Sequence, residues 1–478
     1  MEREELPEIE EKFSGSDLSR REALKLMGIS PVAAAVLASA GPAATEAKGA
    51  DVKGRILIVG GGSGAIMALA RLHRAVANPD ITIIAPNEIH LYQPGQVFMA
   101  AGLYTQADIA KPNRDFIPDD VKWIKDEVAS FDPDNNKVTT RAGEEVAYDY
   151  LVVATGIVAH YDAIEGLTEA DIGTNGISCV YLNDLEAGTA RGGEITWKWF
   201  NDVKEAAKTG KPKVLYTQPN TPIKCGGAPQ KMLYLSADYL KKEGLAADFR
   251  FTTPNASLFS LKPISDALET AQKRYDSITN YFQHNLVSID VEKKVATYIH
   301  AYEEQGEYDE DLEEYETVSK VDRVEMPYDF IHVVPPMSPP DAVVNSPLGW
   351  DRGSAKGWLE VDRETLQHTR YPNVFGIGDV CGIPMGKTGG SARHHAPVVQ
   401  ENLLAVMQGK PPKAKFDGYT VCPLKTQYGE IIMAEFNYDG LAPTISFLAP
   451  EKPRWIWWAF DLYMLKPMYW YLMLRGLM

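Results

Sequence analysis

The constraint that most narrows the fold is Gly60-Gly61-Gly62-Ser63-Gly64-Ala65, placed after the apolar run Ile56 to Val59 and before the helical pattern Ala65 to Ala75. Gly60, Gly62 and Ala65 fit the G-x-G-x-x-G/A spacing of a strand-turn-helix. The glycines there let backbone approach a pyrophosphate, and the helix N-terminus supplies free N–H groups and partial positive charge. Ile81 to Ile84 reads as the next strand, so residues 54 to about 112 form a βαβ unit. The usual acid for ribose hydroxyls is missing at Ala85, with Glu88 as a nearby substitute.

A second unit of this kind is expected in the middle third, but its turn is different. Val214 to Tyr216 is a short apolar strand, followed by a Pro/Asn/Thr-rich turn with Cys225 at the mouth of a helix. No second glycine fingerprint is present, so this turn is not suited to a second pyrophosphate and offers a thiol instead. The middle third ends in Glu303 to Glu316, nine carboxylates in fourteen residues, expected as a solvated hairpin or excursion. Beyond it, Pro335 to Pro340 leads to Tyr371-Pro372-Asn373-Val374-Phe375-Gly376-Ile377-Gly378-Asp379, where the first unit resumes. The expected divisions are 1–45, 52–160, 161–323, 324–405 and 406–478.

With 478 residues and 45% hydrophobic content, two or three domains with sizeable cores are expected. A formal charge of −17 argues against nucleic acid and against electrostatic capture by an anionic bilayer. Ser19-Arg20-Arg21 followed by the apolar stretch Leu26 to Ala40 reads as a twin-arginine signal, implying export to the periplasmic side of the cytoplasmic membrane. No internal run of about 20 apolar residues is present for a membrane span. The last 28 residues concentrate Trp455, Trp457, Trp458, Phe460, Tyr463, Tyr469, Trp470 and Tyr471 among Lys452, Arg454, Lys466 and Arg475. This composition is that of an amphipathic segment at a membrane surface; a helix packed on the core or in a dimer interface is the alternative. The four cysteines, Cys179, Cys225, Cys381 and Cys422, are too widely spaced for a zinc ribbon. His394 and His395 are adjacent and face different ways, so no metal site is expected from them.

Tyr150-Leu151-Val152-Val153-Ala154-Thr155-Gly156 and the late Gly378-Asp379 resemble motifs of two-dinucleotide-domain flavoproteins, which implies FAD. TPIKCGGAPQK, PPMSPPD, YPNVFGIGD, FDGYTVCPL and a late MLRG occur in that order, and together they resemble sulfide:quinone oxidoreductases, particularly the mitochondrial form. The resemblance runs from about Gly54 to the C-terminus. It implies an α/β fold of two Rossmann-like domains, glutathione-reductase-like, with a C-terminal amphipathic membrane-contact segment. Its implied cofactor-binding residues are Gly60, Gly61, Gly62, Ser63, Gly64, Gln93, Val128, Ala154, Thr155, Gly156, Gly378, Asp379, Lys387 and Thr388.

By the same resemblance, Cys225 and Cys422 match a redox disulfide that sulfide opens. The persulfide is then expected on Cys225, with Cys422 as the thiolate that passes two electrons to FAD and so to quinone. Lys231 matches a family lysine near the sulfide site, and a nearby ammonium lowers a thiol's pKa; Lys224 is the weaker choice. The family's late lysine has no aligned counterpart, since Leu462 occupies its position and Lys466 is displaced. Cys179 resembles a third family cysteine tied to flavin attachment or sulfur handling, whereas Cys381 is expected as a packed thiol.

The implied partners are sulfide, quinone, a sulfur acceptor (thiol, sulfite or growing polysulfide) and a membrane surface, with a homo-oligomer left open. The flavoprotein subunit of a flavocytochrome c sulfide dehydrogenase, which feeds a haem subunit, shares the FAD architecture and paired cysteines. A non-catalytic sulfur-binding or sensing protein on the same scaffold would lack the flavin or the disulfide.

Overall fold

A computed structural model describes residues 49–309 and 314–478, apart from 185–186 and 276. The Arg20-Arg21 pattern lies outside these residues. Arg55–Val59 (RILIV) is a strand buried from its second residue onward, because it pairs in parallel with Asp80–Ile84 on one side and Tyr150–Val153 on the other. A strand covered on both faces needs a continuous apolar run rather than alternation. Lys122–Ile124 and Val374–Gly376 complete an all-parallel sheet in the order 374–376, 150–153, 55–59, 80–84, 122–124. The late segment is therefore built into the first sheet.

The second sheet is also parallel, ordered Ile177–Ser178, Phe330–His332, Lys213–Thr217, Asp248–Thr252, Ile278–Tyr281. Lys213–Thr217 lies at its centre, so the turn carrying Cys225 leaves from the carboxyl end of a central strand. Ligands of open parallel sheets bind at such positions, where connections diverge. The architecture is the α/β, two-Rossmann arrangement that the motifs imply.

A third, antiparallel sheet of Thr420–Gln427, Glu430–Asn437 and Gly440–Leu441 carries Cys422 opposite Ala434. On either side of residues 310–313, Val295–Asp309 pairs with Glu314–Pro327 in an antiparallel ladder from Val295↔Pro327 to Asp309↔Glu314.

The C-terminal segment turns most of its aromatic residues inward, as in the alternative of a helix packed on the core. It runs as Trp455–Ala459 (α), Phe460–Met464 (a π turn), Leu465–Met468 (α) and Tyr469–Met473 (a second π turn). Each π turn shifts the helical register, so aromatic residues rotate inward instead of sharing an outer face. Trp457, Trp458, Tyr469 and Trp470 are buried, and Trp470 stacks on Phe116 with ring centroids 5.6 Å apart. Only Tyr463 and Tyr471 of the eight aromatics are exposed, joined on the surface by Met464 and Leu477. Among the described residues, no helix is long and apolar enough to cross a membrane.

Candidate active site

A cavity of about 2510 Å³ runs from the Gly60–Gly64 turn to the Cys225 turn and on to the C-terminal segment. At its first end, Gly62 caps the Ser63–Ala75 helix. A Cβ at Gly62 would meet nothing within 4 Å, whereas one at Gly60 (φ +126°) would lie 2.2 Å from the Ala154 carbonyl oxygen. The turn is thus pressed against Ala154-Thr155 on one side and open on the other. Thr155 Oγ1 is buried without a hydrogen-bond partner among the described residues, and Thr155 lines the cavity.

Asp379, Lys387 and Thr388 line the same cavity. Lys387 Nζ donates to the Asp379 and Cys381 carbonyls at 2.7 and 2.9 Å and sits over the Trp358 ring; burial lowers its pKa to about 8. Thr388 caps the Gly389–Met407 helix by accepting from the Ser391 N–H, which leaves a helix N-terminus at the cavity wall. The open glycine cradle, the orphaned Thr155 hydroxyl and this second helix end fit an elongated dinucleotide such as FAD. Gln93 and Val128 are also on the wall, with Gln93 Oε1 accepting from Lys224 Nζ at 2.6 Å. Glu88 is not: it pairs with Lys125 at the surface, and Asn87 lines the cavity beside the missing acid.

At the sulfur end, Cys225 adopts φ +51°, a left-handed conformation uncommon for a residue with a Cβ. Its N–H donates to the Lys387 carbonyl at 2.9 Å, and its carbonyl accepts from Ala228 N and the Tyr181 hydroxyl. These three bonds hold the turn at the mouth of the Ala228–Lys242 helix. Lys231, one turn into that helix and buried, donates from Nζ to Cys225 Sγ at 3.0 Å.

Cys422 lies beside Cys225 across Gly227. A Cβ at Gly227 would fall 2.7 Å from Cys422 Sγ and 2.4 Å from Leu424 Cδ2, so only glycine lets the strand approach this closely. Both cysteines are free thiols here. The neighbouring Cys422 thiol and the Lys231 ammonium hold Cys225 well below the usual thiol range, while the neighbouring Cys225 sulfur and burial push Cys422 up. The Lys231 contact favours the thiolate of the reduced pair on Cys225, where the resemblance implies it on Cys422. Cys225 is also the member on the cavity wall.

Cys179 is brought near but not into the site. It is buried behind Tyr181, accepts from the Tyr161 hydroxyl at 3.6 Å, is absent from the wall, and burial lifts it to about 11. Cys381 is a packed thiol lifted to about 12. His395 accepts from Gly378 N at 3.1 Å and thereby braces the turn before Asp379. Lys466 pairs with Asp108 at 2.8 Å, away from the sulfurs.

Sequence reasoning missed Lys425 and Asp461. Both are buried cavity residues, and they form an ion pair at 2.5 Å. Their signal was a lone acid inside the aromatic run Trp455 to Leu465 and a lone cation inside the apolar strand after Cys422. Lone charges in such runs need partners when buried.

Residues 54–186 match the Pyridine nucleotide-disulphide oxidoreductase family model. The mitochondrial sulfide:quinone oxidoreductase of Mus musculus is 35% identical over 428 residues, covering 88% of this chain and 86% of the relative. That of Dictyostelium discoideum is 38% identical over 387 residues, covering 80% and 78%. The X-ray structure of the sulfide:quinone oxidoreductase from Aquifex aeolicus superposes with a TM-score of 0.66 at 20% identity, covering 86% of this chain and 89% of that one, a likeness of fold.

Proposed function

The chain belongs to the sulfide:quinone oxidoreductase family, and from that premise we propose that Cys225 and Cys422 form the disulfide that hydrosulfide opens. It is an oxidoreductase that acts on sulfide and passes electrons through a flavin to quinone. The flavin proposed is FAD, held by Gly60 to Gly64, Thr155, Gly378, Asp379 and Thr388. When bound, it supplies a two-electron acceptor able to hand electrons on to quinone.

The observation that carries the reading is the contact of Lys231 Nζ with Cys225 Sγ, opposite Cys422. In thiol–disulfide exchange the sulfur of lower pKa leaves faster. Hydrosulfide therefore attacks Cys422 Sγ, the Cys225–Cys422 bond breaks, and Cys225 departs as a thiolate neutralised by Lys231. The sulfane sulfur stays on Cys422 as a persulfide, and the electron pair surrendered by sulfide rests on Cys225, on the cavity wall. A thiol, sulfite or growing polysulfide then takes the sulfane sulfur. The haem-subunit alternative draws no support from relatives named for quinone.

For membrane access the reading relies on Tyr463, Met464, Tyr471 and Leu477, which are exposed on the C-terminal segment whose inner residues Phe460, Leu465 and Met468 line the cavity. An apolar quinone would enter there. Export by Arg20-Arg21 would place the enzyme on the periplasmic side. Anaerobic sulfide titration tests the core of the proposal: sulfide should bleach the flavin and quinone restore it, and peptide mapping should find the added sulfur on Cys422. A flavin unchanged by sulfide refutes the function; added sulfur on Cys225 refutes the order of attack.

A further inference from the structure

The sulfur end of the cavity holds more charge than thiol chemistry requires. Lys231 comes from the Ala228–Lys242 helix, Lys425 from the Thr420–Gln427 strand and Asp461 from the C-terminal segment. All three are buried, with side chains of Lys425 and Asp461 only 3% and 2% exposed, and all three line the cavity with Cys225. Lys425 Nζ is additionally held 4.6 Å from the Phe98 ring centroid. Isolated buried charges are costly, so such a cluster persists only if its members compensate one another.

We propose that Lys425, clamped by Asp461, is a positioning residue that sets the charge of the sulfur site. With Lys231 it leaves the disulfide state one net positive charge and makes the thiolate state neutral. The proposal rests on the disulfide reading above and names the substrate form: a small monovalent anion, hydrosulfide, rather than neutral hydrogen sulfide. Two ammoniums and one carboxylate sum to +1 when the cysteines are bonded. Hydrosulfide brings −1; after it attacks Cys422 and the S–S bond breaks, that charge sits on the Cys225 thiolate and the cluster sums to zero. Once a thiol, sulfite or polysulfide has taken the sulfane sulfur and left Cys422 as a thiolate, the two cysteines can bond again as their electron pair goes to the flavin; the site then returns to +1 and is ready for the next anion. Without Asp461 the same site would hold an uncompensated second cation in low dielectric, which favours tight anion retention over turnover.

Other ionisable groups around Cys225 lie outside the three charges summed here. Cys422 is the protonated partner, the Tyr181 phenol is held neutral by burial, and Lys224 and Lys387 face Asp379 toward the glycine-rich end. Both Lys231 and Lys425 favour the Cys225 thiolate, and Lys231 disfavours the positive charge on Lys425. That effect is what a carboxylate at 2.5 Å relieves.

The test is made on purified holoenzyme by titrating the reduced Cys225 thiolate through its alkylation rate with iodoacetamide, a readout independent of sulfide turnover. Lys425→Met should move the titration midpoint up by about one pH unit, Lys425→Arg should restore it, and the charge-balanced Lys425→Met/Asp461→Asn pair should return it close to the parent. An ion pair that does not act on the thiolate would lower the melting temperature without this pattern. A folded, flavin-bearing Lys425→Met protein that titrates like the parent overturns the proposal. Because substitutions here can prevent folding, the parent enzyme supplies a second measurement. At constant ionic strength, bromide replacing gluconate should raise the apparent KM for sulfide and leave the maximal rate of flavin reduction unchanged. Absence of that competition also overturns the proposal, whereas failure of sulfide to reduce the parent flavin at all refutes the disulfide reading instead.

Discussion

Lys231 Nζ lies 3.0 Å from Cys225 Sγ, and both belong to one turn-and-helix unit: the thiol at the left-handed turn, the ammonium six residues on, inside the first turns of the helix. The positive helix end and the ammonium both face the sulfur, so a thiolate is stabilised where free cysteine would be protonated at neutral pH. Removing the ammonium should raise the thiol's pKa. For Lys231→Met, alkylation of reduced Cys225 at pH 7 should slow about tenfold for each unit of that rise, with the rate recovering as pH increases. An unchanged pH profile would deny Lys231 this role.

Cys225→Ser and Cys422→Ser should each abolish sulfide-dependent bleaching while retaining the visible flavin spectrum. The two sulfurs meet across Gly227, so Gly227→Ala should reduce the same rate by pushing the strand away from the turn. Anaerobic stopped-flow absorbance checks all three, and normal bleaching in either serine variant would remove the pair from the chemistry.

Gly62 separates folding from cofactor binding, because a Cβ there meets no protein atom within 4 Å. Gly62→Val should fold with an unchanged melting temperature when flavin is stripped from both proteins. Its FAD affinity should fall at least about tenfold, roughly 1.4 kcal/mol. Equal flavin content after gel filtration would mean that the cradle is occupied otherwise.

NADH and NADPH should leave the flavin oxidised in the absence of sulfide. The turn from Gln218 to Cys225 contains no glycine, and its one left-handed residue serves a thiol rather than a pyrophosphate. Rapid bleaching by either nucleotide would contradict this assignment.

Truncation at Glu451 is a poor probe of membrane docking, since it would remove the buried Asp461, Tyr469 and Trp470. Trp470→Ala alone should cost about 3–5 kcal/mol. Tyr463→Ser/Tyr471→Ser/Leu477→Ser changes only exposed side chains. It should preserve the melting temperature and sulfide-dependent bleaching while reducing co-sedimentation with liposomes and the rate of quinone reduction. Undiminished liposome binding would place the docking surface elsewhere.

What was legible in the chain itself was local chemistry. Gly60 to Ala65 specified a strand-turn-helix because the required backbone freedom and spacing are carried by adjacent residues, and the absence of glycine from Gln218 to Cys225 showed in the same way that the second turn had another use. Lys231 was within reach of sequence reasoning because it shares that short unit with Cys225. Tertiary structure decided what depends on burial and on distant segments meeting. Lys425 and Asp461 stand 36 residues apart and become an ion pair only when the third sheet and the C-terminal segment close over one cavity. The aromatic tail suggested lipid by composition, but its helical turns pack Trp457, Trp458, Tyr469 and Trp470 into the core. The order of the two thiols likewise followed from which one faces an ammonium in low dielectric, and thiol pKa is a property of surroundings rather than of position in the chain.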